Sequence, residues 1–329
     1  MDSTQEKITL VEAVNQALRY EMQHDDNVVL LGEDIGHNGG VFRATVDLQQ
    51  QFGQQRVIDT PLAESLIAGL TVGMAVQGLK PVAEIQFMGF IYATFEQLVG
   101  HAARMRNRTR GRLHCPMVIR APFGGGIHAP EHHSESTEAM LAHVPGLRVV
   151  IPSSPKRAYG LLLAAIRDPD PVIFLEPKRI YRAVKHQVAD DGEALPMDTC
   201  FTLKAGRDLS IISWGASIQE SLAAASVLAQ QGIDAEVIDV ATIKPLDMHT
   251  ILTSVEKTGR CLIVHEAARS FGVGAEIAAG ICEQPVNPLR VPLVRLTGYD
   301  TIMPLLKNEA RYMPTTEDIV SAALHMMQQ

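Results

Sequence analysis

Cysteine is scarce in this chain of 329 residues, and that scarcity excludes two kinds of cross-linked domain. The four cysteines, Cys115, Cys200, Cys261 and Cys282, lie far apart, and no two of them form a C-x-x-C pair. We therefore expect neither a disulfide framework nor a zinc site of the usual spacing, and a reducing cytosol is the expected compartment.

Long apolar runs and an excess of positive charge are also lacking. No apolar stretch reaches the ~20 residues that a membrane helix needs, and the polar start MDSTQEKITL does not resemble a secretory signal. The chain has 29 Lys and Arg against 37 Asp and Glu, for a net charge of -8. This balance argues against a nucleic-acid partner. The short basic run at 104–112 contains no aromatic residue and is typical of a solvated helix end.

What the chain does contain is a regular alternation of helix and strand patterns. Thr9 and Glu12 form an S/T-x-x-E capping box before a helical apolar stripe, and the run Val28–Leu31 is typical of a strand covered on both faces. Further helix patterns cover 62–78, 91–107 and 155–167, and strand patterns cover 81–87, 117–122, 148–151 and 172–176. This order predicts an α/β fold with a mainly parallel sheet.

The pattern fades near residue 180 and resumes near 209, which predicts two parallel-sheet α/β domains. We assign the first domain to 1–185, a polar linker broken by Gly192 and Pro196 to 186–206, and the second domain to 207–329. The second series contains strands at 209–214, 235–240, 261–265 and 292–296 and helices at 217–231, 247–257, 273–284 and 316–327.

Ligands of open parallel sheets bind beyond the carboxyl ends of the strands, and Glu64 is a candidate for that position. It falls in the first turn of a predicted helix, where an acid complements the helix dipole without any further role. The same helix contains Gly69 and Gly73, whose spacing suggests that another backbone packs closely there. A carboxyl group at the edge of such a surface would be desolvated, and a raised pKa would suit proton transfer at neutral pH.

The loop 122–136 is a second candidate, with three consecutive glycines followed by His128, His132 and His133. A zinc site is one hypothesis, although the glycines and Pro130 disfavour the helix that this histidine spacing would need. A phosphate cradle is another, but neither the P-loop nor the Rossmann glycine pattern is present. A mobile loop that brings imidazoles to a pocket and a loop with merely solvated histidines both remain open.

Several long segments resemble one family. They are GEDIGHNGGVFRAT (32–45), RVIDTPLAESLIAG (56–69), PVAEIQFMGF (81–90), IRAPFGGGIHAPEHHSES (119–136), PGLRVVIPSSPKRAYGLLLAAIRDPDPVIFLEPKRIYR (145–182) and VEKTGRCLIVHEA (255–267). Together they resemble the beta subunits of thiamine-diphosphate-dependent 2-oxo acid dehydrogenases over essentially the whole chain. The resemblance implies a pyrimidine-binding domain followed by a transketolase C-terminal-like domain.

The resemblance also implies a cofactor site. Glu64 matches the glutamate that hydrogen-bonds the aminopyrimidine of thiamine diphosphate and exchanges a proton with it. Phe90 matches the aromatic residue stacked on that ring, with Leu62 and Gln86 beside it.

Other matched positions concern proton and acyl transfer. His133 matches the histidine at the channel mouth that orients the incoming lipoyl group, and His128 lies in the same loop. Glu33 and Glu96 match acidic positions assigned to a proton relay between two active sites, although relatives often have aspartate at the second position.

Some relatives hold a structural potassium ion, mostly through backbone carbonyl groups. The positions that match its ligands here are Met117, Ala165, Ile166, Asp168 and Asp170. A plain turn at the Asp-Pro-Asp-Pro sequence 168–171 is an equal alternative.

One family motif is missing. Thiamine-diphosphate enzymes anchor the diphosphate through magnesium with a GDG sequence, and no GDG occurs in this chain. A diphosphate needs a metal or a basic clamp to leave water. The resemblance therefore implies half an active site, with the magnesium held by an alpha subunit in an assembly of two alpha and two beta chains.

The implied reaction is oxidative decarboxylation of a 2-oxo acid, followed by acyl transfer to the lipoyl domain of a dihydrolipoyl acyltransferase. The segments EIQFMGF and PFGGGIHAPE favour pyruvate as the substrate. Branched-chain 2-oxo acid and acetoin enzymes share most motifs and remain the alternatives. A stand-alone transketolase-like synthase is disfavoured by the missing magnesium motif, and a non-catalytic scaffold by the joint presence of Glu64, Phe90 and His133.

Overall fold

The computed structural model describes residues 6–329 and confirms the predicted α/β fold. The chain forms two compact units. The first contains the residues up to Phe123 together with Met140–Met197, and the second contains Gly124–Ala139 together with Asp198–Gln329. The loop that follows the strand at 118–123 thus groups with the second unit. The boundaries expected from the sequence, with domains at 1–185 and 207–329 and a linker at 186–206, stay a prediction.

The helices and strands in the first part of the chain follow the predicted alternation. In chain order they are β1 (Lys7–Ile8), α1 (Leu10–His24), β2 (Val28–Gly32), α2 (Leu48–Phe52), β3 (Val57–Asp59), α3 (Glu64–Val76), β4 (Lys80–Glu84), α4 (Phe95–Gly100), α5 (Met105–Arg108), β5 (Val118–Phe123), α6 (Glu138–Ala142), β6 (Arg148–Val150), α7 (Pro155–Arg167), β7 (Val172–Pro177) and β8 (His186–Gln187). Short 3-10 helices cover Met88–Thr94, Ala102–Arg104, Glu131–His133 and Lys178–Ile180.

The main sheet of the first unit is parallel, with its strands in the order β6-β7-β5-β4-β2-β3. Its strands are apolar and buried on both faces, as expected when helices cover a parallel sheet. The predicted capping box starts α1, because the Thr9 amide donates to Glu12 Oε2 at 2.7 Å and the Glu12 amide donates to Thr9 Oγ1 at 3.4 Å.

The prediction of one continuous helix over 91–107 is wrong. The segment instead forms the 3-10 helix Met88–Thr94, then α4, a second 3-10 turn and α5. The Thr94 hydroxyl donates to the Ile91 carbonyl at 2.6 Å and supports the tighter first turns. Gly100 ends α4, where its low helix propensity permits the change of direction.

The second unit is built on a five-stranded sheet in the order β14-β13-β10-β11-β9. The elements of this part of the chain are β9 (Phe201–Lys204), β10 (Leu209–Ser213), α8 (Ser217–Gln230), β11 (Ala235–Asp239), β12 (Thr242–Lys244), α9 (Met248–Thr258), β13 (Cys261–Ala268), α10 (Val273–Cys282), β14 (Val294–Gly298), the 3-10 turn Leu306–Asn308, α11 (Glu309–Tyr312) and α12 (Thr316–Met327). Strand β9 lies within the segment 186–206 and pairs antiparallel with β11, while the other pairs are parallel.

The second unit has its own apolar core. Side chains from β10, β11 and β13 pack with α8 and α12 around fully buried Leu209, Ile211 and Met326. In residues 6–329, no helix is long and apolar enough to cross a bilayer.

A buried ion cluster lies in the sheet of the first unit. Arg120 on β5 donates from Nη1 to Glu84 Oε2 at 3.0 Å and forms two bonds with Glu176, at 2.6 and 3.0 Å. Tyr181 adds a hydroxyl bond of 2.5 Å to Glu176. Burial raises the pKa of Glu84, and the Arg120 charge acts against that rise. The guanidinium group on β5 thus bridges two buried carboxylates on the strands to either side, β4 and β7.

We expect Arg120→Met to lower the free energy of unfolding by ~3–5 kcal/mol near neutral pH, because two carboxylates lose their shared cation inside the protein. Burial already raises the pKa of Glu84, and without the opposing Arg120 charge it would rise further, so the loss is smaller near pH 5 than near pH 8. Urea unfolding at both pH values measures this. Arg106→Met is the matched control, because Arg106 makes a similar two-bond pair with Asp170 at an exposed site. Equal losses in the two variants would contradict the role of burial.

Candidate active site

The carboxyl ends of three adjacent strands bring the predicted cofactor residues to one edge of the first unit's sheet. Gly32 at the end of β2 pairs with Asp59 at the end of β3 and with Glu84 at the end of β4. Each of these strand ends is followed within a few residues by predicted site residues. Glu33 follows β2, the segment 60–64 follows β3, and the segment 86–90 follows β4.

Glu64 is the first residue of α3 and is half-buried. The preceding residue, Ala63, provides no side-chain cap, and Glu64 is an acid in the first turn, where negative charge complements the helix dipole. Burial raises the pKa of Glu33, and the charges of Asp34 and Glu64 raise it further. The charge of the glutamate predicted for proton exchange therefore acts on the glutamate predicted for the proton relay.

Phe90 is held by other aromatic rings. It lies on the 3-10 helix Met88–Thr94, half-buried, and packs edge-to-face on Phe87 with ring centroids 5.9 Å apart. Phe87 in turn packs against Phe42 at 5.5 Å. The Ser65 hydroxyl donates to the Ala93 carbonyl at 2.6 Å, which ties the first turn of α3 to the helix that carries Phe90.

The other positions predicted for the site differ in how far they are exposed to solvent. Leu62 exposes 67% of its surface just before α3, and Leu66 and Leu70 follow at 44% and 40%. Gln86 is half-buried, whereas Glu96 is an exposed residue in the first turn of α4. The outer face of α3 therefore presents an apolar stripe next to Glu64.

The glycines of α3 do not have the close backbone neighbour that the sequence suggested. Among residues 6–329, no atom lies within 4 Å of the position that a Cβ would take at Gly73, and Gly69 meets only the side chain of Gln97, at 3.8 Å. The partner predicted for this face is therefore not found in the described part of the chain.

The loop 124–139 is held by carboxylates of the second unit. Gly125 donates its amide to Glu266 Oε1 at 3.1 Å, and the Ser136 hydroxyl donates to the same oxygen at 2.6 Å. A Cβ on Gly124 would lie 2.0 Å from that oxygen, so the position requires glycine. The amide of Gly124 also donates to the Glu135 carbonyl at 2.9 Å and brings the two ends of the loop together.

Glu309 holds the middle of the same loop. Its Oε1 accepts the Gly126 amide at 2.5 Å, and its Oε2 accepts the His128 amide at 2.9 Å. The His128 ring nitrogen Nδ1 lies 2.9 Å from Oε2 as well. His133 is half-buried on the 3-10 turn Glu131–His133. Within residues 6–329, no group of three or more His, Cys, Asp or Glu side chains is arranged to hold a metal, so nothing in the described chain supports zinc at this loop.

The sequence analysis missed two further buried groups, Glu138 at the end of the loop and His265 on β13. Burial raises the pKa of Glu138 to about 8, and the charge of Glu266 adds to the rise, while a bond from Trp214 Nε1 at 3.1 Å opposes it. Trp214 stacks on His265 with centroids 4.9 Å apart, and burial lowers the pKa of His265 to about 4. Burial thus favours the neutral form of both groups. The segment VHEA (264–267), in which two titratable residues follow an apolar run, was an available signal for His265, whereas no local pattern marked Glu138.

The positions matched to potassium ligands all belong to the first unit. The Met117 carbonyl already accepts the Val172 amide at 3.0 Å, and the Cys115 amide donates to the Pro169 carbonyl at 3.2 Å. Asp168 caps the Asp170 amide at 2.8 Å and pairs with Arg148, while Asp170 pairs with Arg106. Both carboxylates are thus engaged, so a cation would depend on backbone carbonyl groups such as those of Ala165 and Ile166.

Two family matches cover the chain almost from end to end. Residues 6–184 match the transketolase pyrimidine-binding domain, and residues 199–319 match the transketolase C-terminal domain. A solved structure described as a split-gene transketolase in an inactive beta4 tetramer superposes with a TM-score of 0.81 over 98% of this chain and 99% of that chain. The identity is 22%, so this likeness concerns the fold.

Curated relatives are much closer in sequence. The pyruvate dehydrogenase E1 component subunit beta of Acholeplasma laidlawii is 50% identical over 95% of this chain and 96% of its own length. The subunits of the same name from Bacillus subtilis and Staphylococcus epidermidis are 45% and 46% identical, over 98% and 96% of this chain and 99% and 98% of their own lengths. With both domains matched and nearly the full length shared, the chain belongs to the family of pyruvate dehydrogenase E1 beta subunits.

Proposed function

We propose that this chain is the beta component of a pyruvate dehydrogenase that decarboxylates pyruvate oxidatively and passes the acetyl group to a lipoyl domain of dihydrolipoyl acetyltransferase. The observation that carries the proposal is the position of Glu64, half-buried at the N-terminus of α3, next to Glu33 and on the same sheet edge as Phe90. The curated relatives of this name support the choice of pyruvate.

The residues at this edge fit the aminopyrimidine half of thiamine diphosphate. Such a ring needs a carboxyl partner, an aromatic platform and an apolar border, which Glu64, Phe90 and Leu62 supply. When bound, the cofactor supplies the carbon nucleophile that attacks the ketone of a 2-oxo acid. Glu64 would exchange a proton with the ring, Phe90 would provide its stacking surface, and Gln86 would contribute a polar group beside it.

Proton transfer between sites involves two further acids in this proposal. The pKa of Glu33 is raised by burial and by nearby negative charge, so that this carboxyl group can take up a proton closer to neutral pH than an ordinary glutamate. Glu96 is exposed at the start of α4 and is the second relay position.

An alpha subunit completes the site in this proposal. The chain lacks a GDG sequence for the diphosphate and its magnesium. The outer face of α3, with exposed Leu62, Leu66 and Leu70 and the uncovered Gly73, supplies apolar surface for a second chain next to Glu64. Two alpha and two beta chains, with the beta chains in contact, form the proposed assembly, and the four free cysteines suit a reducing cytosol.

Potassium is a secondary proposal. Because Asp168 and Asp170 are paired with arginines, an ion near Met117 would be held by carbonyl oxygens and would support local structure only. No step of the reaction depends on it.

Branched-chain 2-oxo acids and acetoin are the alternative substrates. Co-expression with the alpha chain, followed by decarboxylation assays with pyruvate and with branched 2-oxo acids, tests the proposal. A higher kcat/KM for a branched acid than for pyruvate would reject the pyruvate assignment.

Glu64→Gln should lower decarboxylation by the assembled enzyme by ~10²–10⁴-fold, because the amide cannot exchange a proton with the cofactor. Glu317→Gln is the matched control, since Glu317 is an exposed acid in the first turn of α12. Both variants should retain the far-ultraviolet circular dichroism of the parent. Near-parental decarboxylation by Glu64→Gln would show that Glu64 does not exchange the proton.

The purified chain alone should not bind thiamine diphosphate with magnesium at micromolar concentration, since it provides only the pyrimidine half of the site. Titration calorimetry with and without the alpha chain measures this. Tight one-to-one binding by the isolated chain would overturn the half-site proposal.

His133→Ala should reduce acetyl transfer to a lipoyl domain far more than decarboxylation measured with an artificial electron acceptor. The reason is that only transfer needs an acid or base at the channel mouth, where such a group contributes ~10²–10⁴-fold. The two half-reactions are assayed on the same assembled enzyme. Equal losses in both would place His133 in cofactor binding or folding instead.

A further inference from the structure

The histidine loop is held by a carboxylate that is distant in sequence and belongs to the transketolase C-terminal part of the chain. Glu309 is 2% exposed and accepts three contacts from the loop, from the amides of Gly126 and His128 and from the His128 ring. Bonds from backbone amides to an ionised carboxylate are among the stronger hydrogen bonds in proteins.

These contacts hold the loop in a backbone shape that it would not prefer by itself. His128 has a φ of +58°, in the left-handed region that non-glycine residues rarely adopt. Its amide and its ring Nδ1 both meet the same oxygen of Glu309. The carboxylate thus stabilises this turn, and the neighbouring Gly126, with a φ of +86°, supplies the other left-handed residue.

The turn is connected to His133 through a short rigid path. Pro130 caps the 3-10 turn Glu131–His133, and the His133 amide donates to the Pro130 carbonyl at 2.9 Å. Buried Ser134 donates its hydroxyl towards the Pro130 carbonyl at 3.3 Å. Only Ala129 separates His128 from Pro130. The backbone at residue 128 therefore determines where the turn that contains His133 begins.

We infer that Glu309 is a positioning residue for acetyl transfer to the lipoyl group, because it fixes the loop turn that places the His133 ring. This inference rests on the proposed role of His133. It assigns to the C-terminal part of the chain a role in acetyl transfer. Glu309 exerts this role through the backbone amides of the loop.

The test uses the assembled alpha-beta enzyme with Glu309→Gln, in which an NH2 group replaces one carboxylate oxygen and cannot accept a hydrogen bond from the loop's N–H groups. A misplacement of ~1 Å can cost ~10²-fold in rate, so we expect kcat for acetylation of a lipoyl domain to fall by ~10- to 100-fold. Decarboxylation with an artificial electron acceptor should change by less than about 2-fold, because the proposal places the loop only in acetyl transfer. Glu317→Gln, which removes one exposed negative charge from the same domain, should alter neither rate.

A double-mutant cycle with His133→Ala separates positioning from a general structural effect. If Glu309 acts through His133, Glu309→Gln has little further effect on transfer in the His133→Ala background. Hydrogen exchange should show faster exchange of loop 124–136 in Glu309→Gln than in Glu317→Gln. Should Glu309→Gln fail to assemble, Glu309→Asp, which keeps the charge but shortens the reach, is measured in the same way.

The outcomes are distinct. Parental transfer by Glu309→Gln, equal losses in both half-reactions, or the same loss with and without His133 would each overturn the inference while leaving the proposed function in place. Absence of acetyl transfer by the parental enzyme would overturn the proposed function itself, and the inference with it.

Discussion

One buried guanidinium group joins the strands on which the candidate cofactor site depends. Arg120 on β5 binds Glu84 on β4 and Glu176 on β7, close to the edge from which the site loops leave. Gln86 and Phe90 follow Glu84 within a few residues, so any shift between β4 and β5 would displace them. Because charges inside a protein are costly when unpaired, this cluster tolerates little change in strand register.

The same cluster is continuous with the ring that the cofactor would contact. Tyr181 bonds to Glu176 and packs against Phe42, with centroids 5.2 Å apart. Phe42 packs on Phe87, and Phe87 on Phe90. A row of aromatic side chains thus runs from the ion cluster to Phe90, the residue proposed to stack on the cofactor. Rigid rings in edge contact have few alternative rotamers, so Phe90 is preorganised before any ligand binds.

The sequence predicted those parts of the structure that depend on local patterns. The α1 capping box and the apolar strands β2, β5 and β7 were found, because their signals lie within a few neighbouring residues. Strand β9 was missed because a four-residue edge strand with half-exposed side chains resembles a polar linker. The position of Glu64 at a helix start made it a candidate, but its cofactor role and that of Phe90 came from the resemblance, since an acid and an aromatic residue have many other uses.

The contacts that hold the loop could not be predicted from the sequence for a different reason, which is the separation of their residues along the chain. Glu266 is 141 residues from Gly125, and Glu309 is 183 residues from Gly126. Periodicity and motif spacing carry no information about such separations, and an acid on a short helix such as α11 is ordinarily solvated. Arg120 was equally hidden, because it lies in a run that otherwise has the composition of a buried strand.

The chain contains a single tryptophan, and its surroundings give the protein a built-in optical reporter. The Trp214 indole donates to Glu138 at the end of the loop and stacks on His265. A change in the position of Glu138 would therefore alter the surroundings of the indole, on which its emission depends. Fluorescence of the native chain thus offers a way to follow this end of the histidine loop, without a label and without turnover.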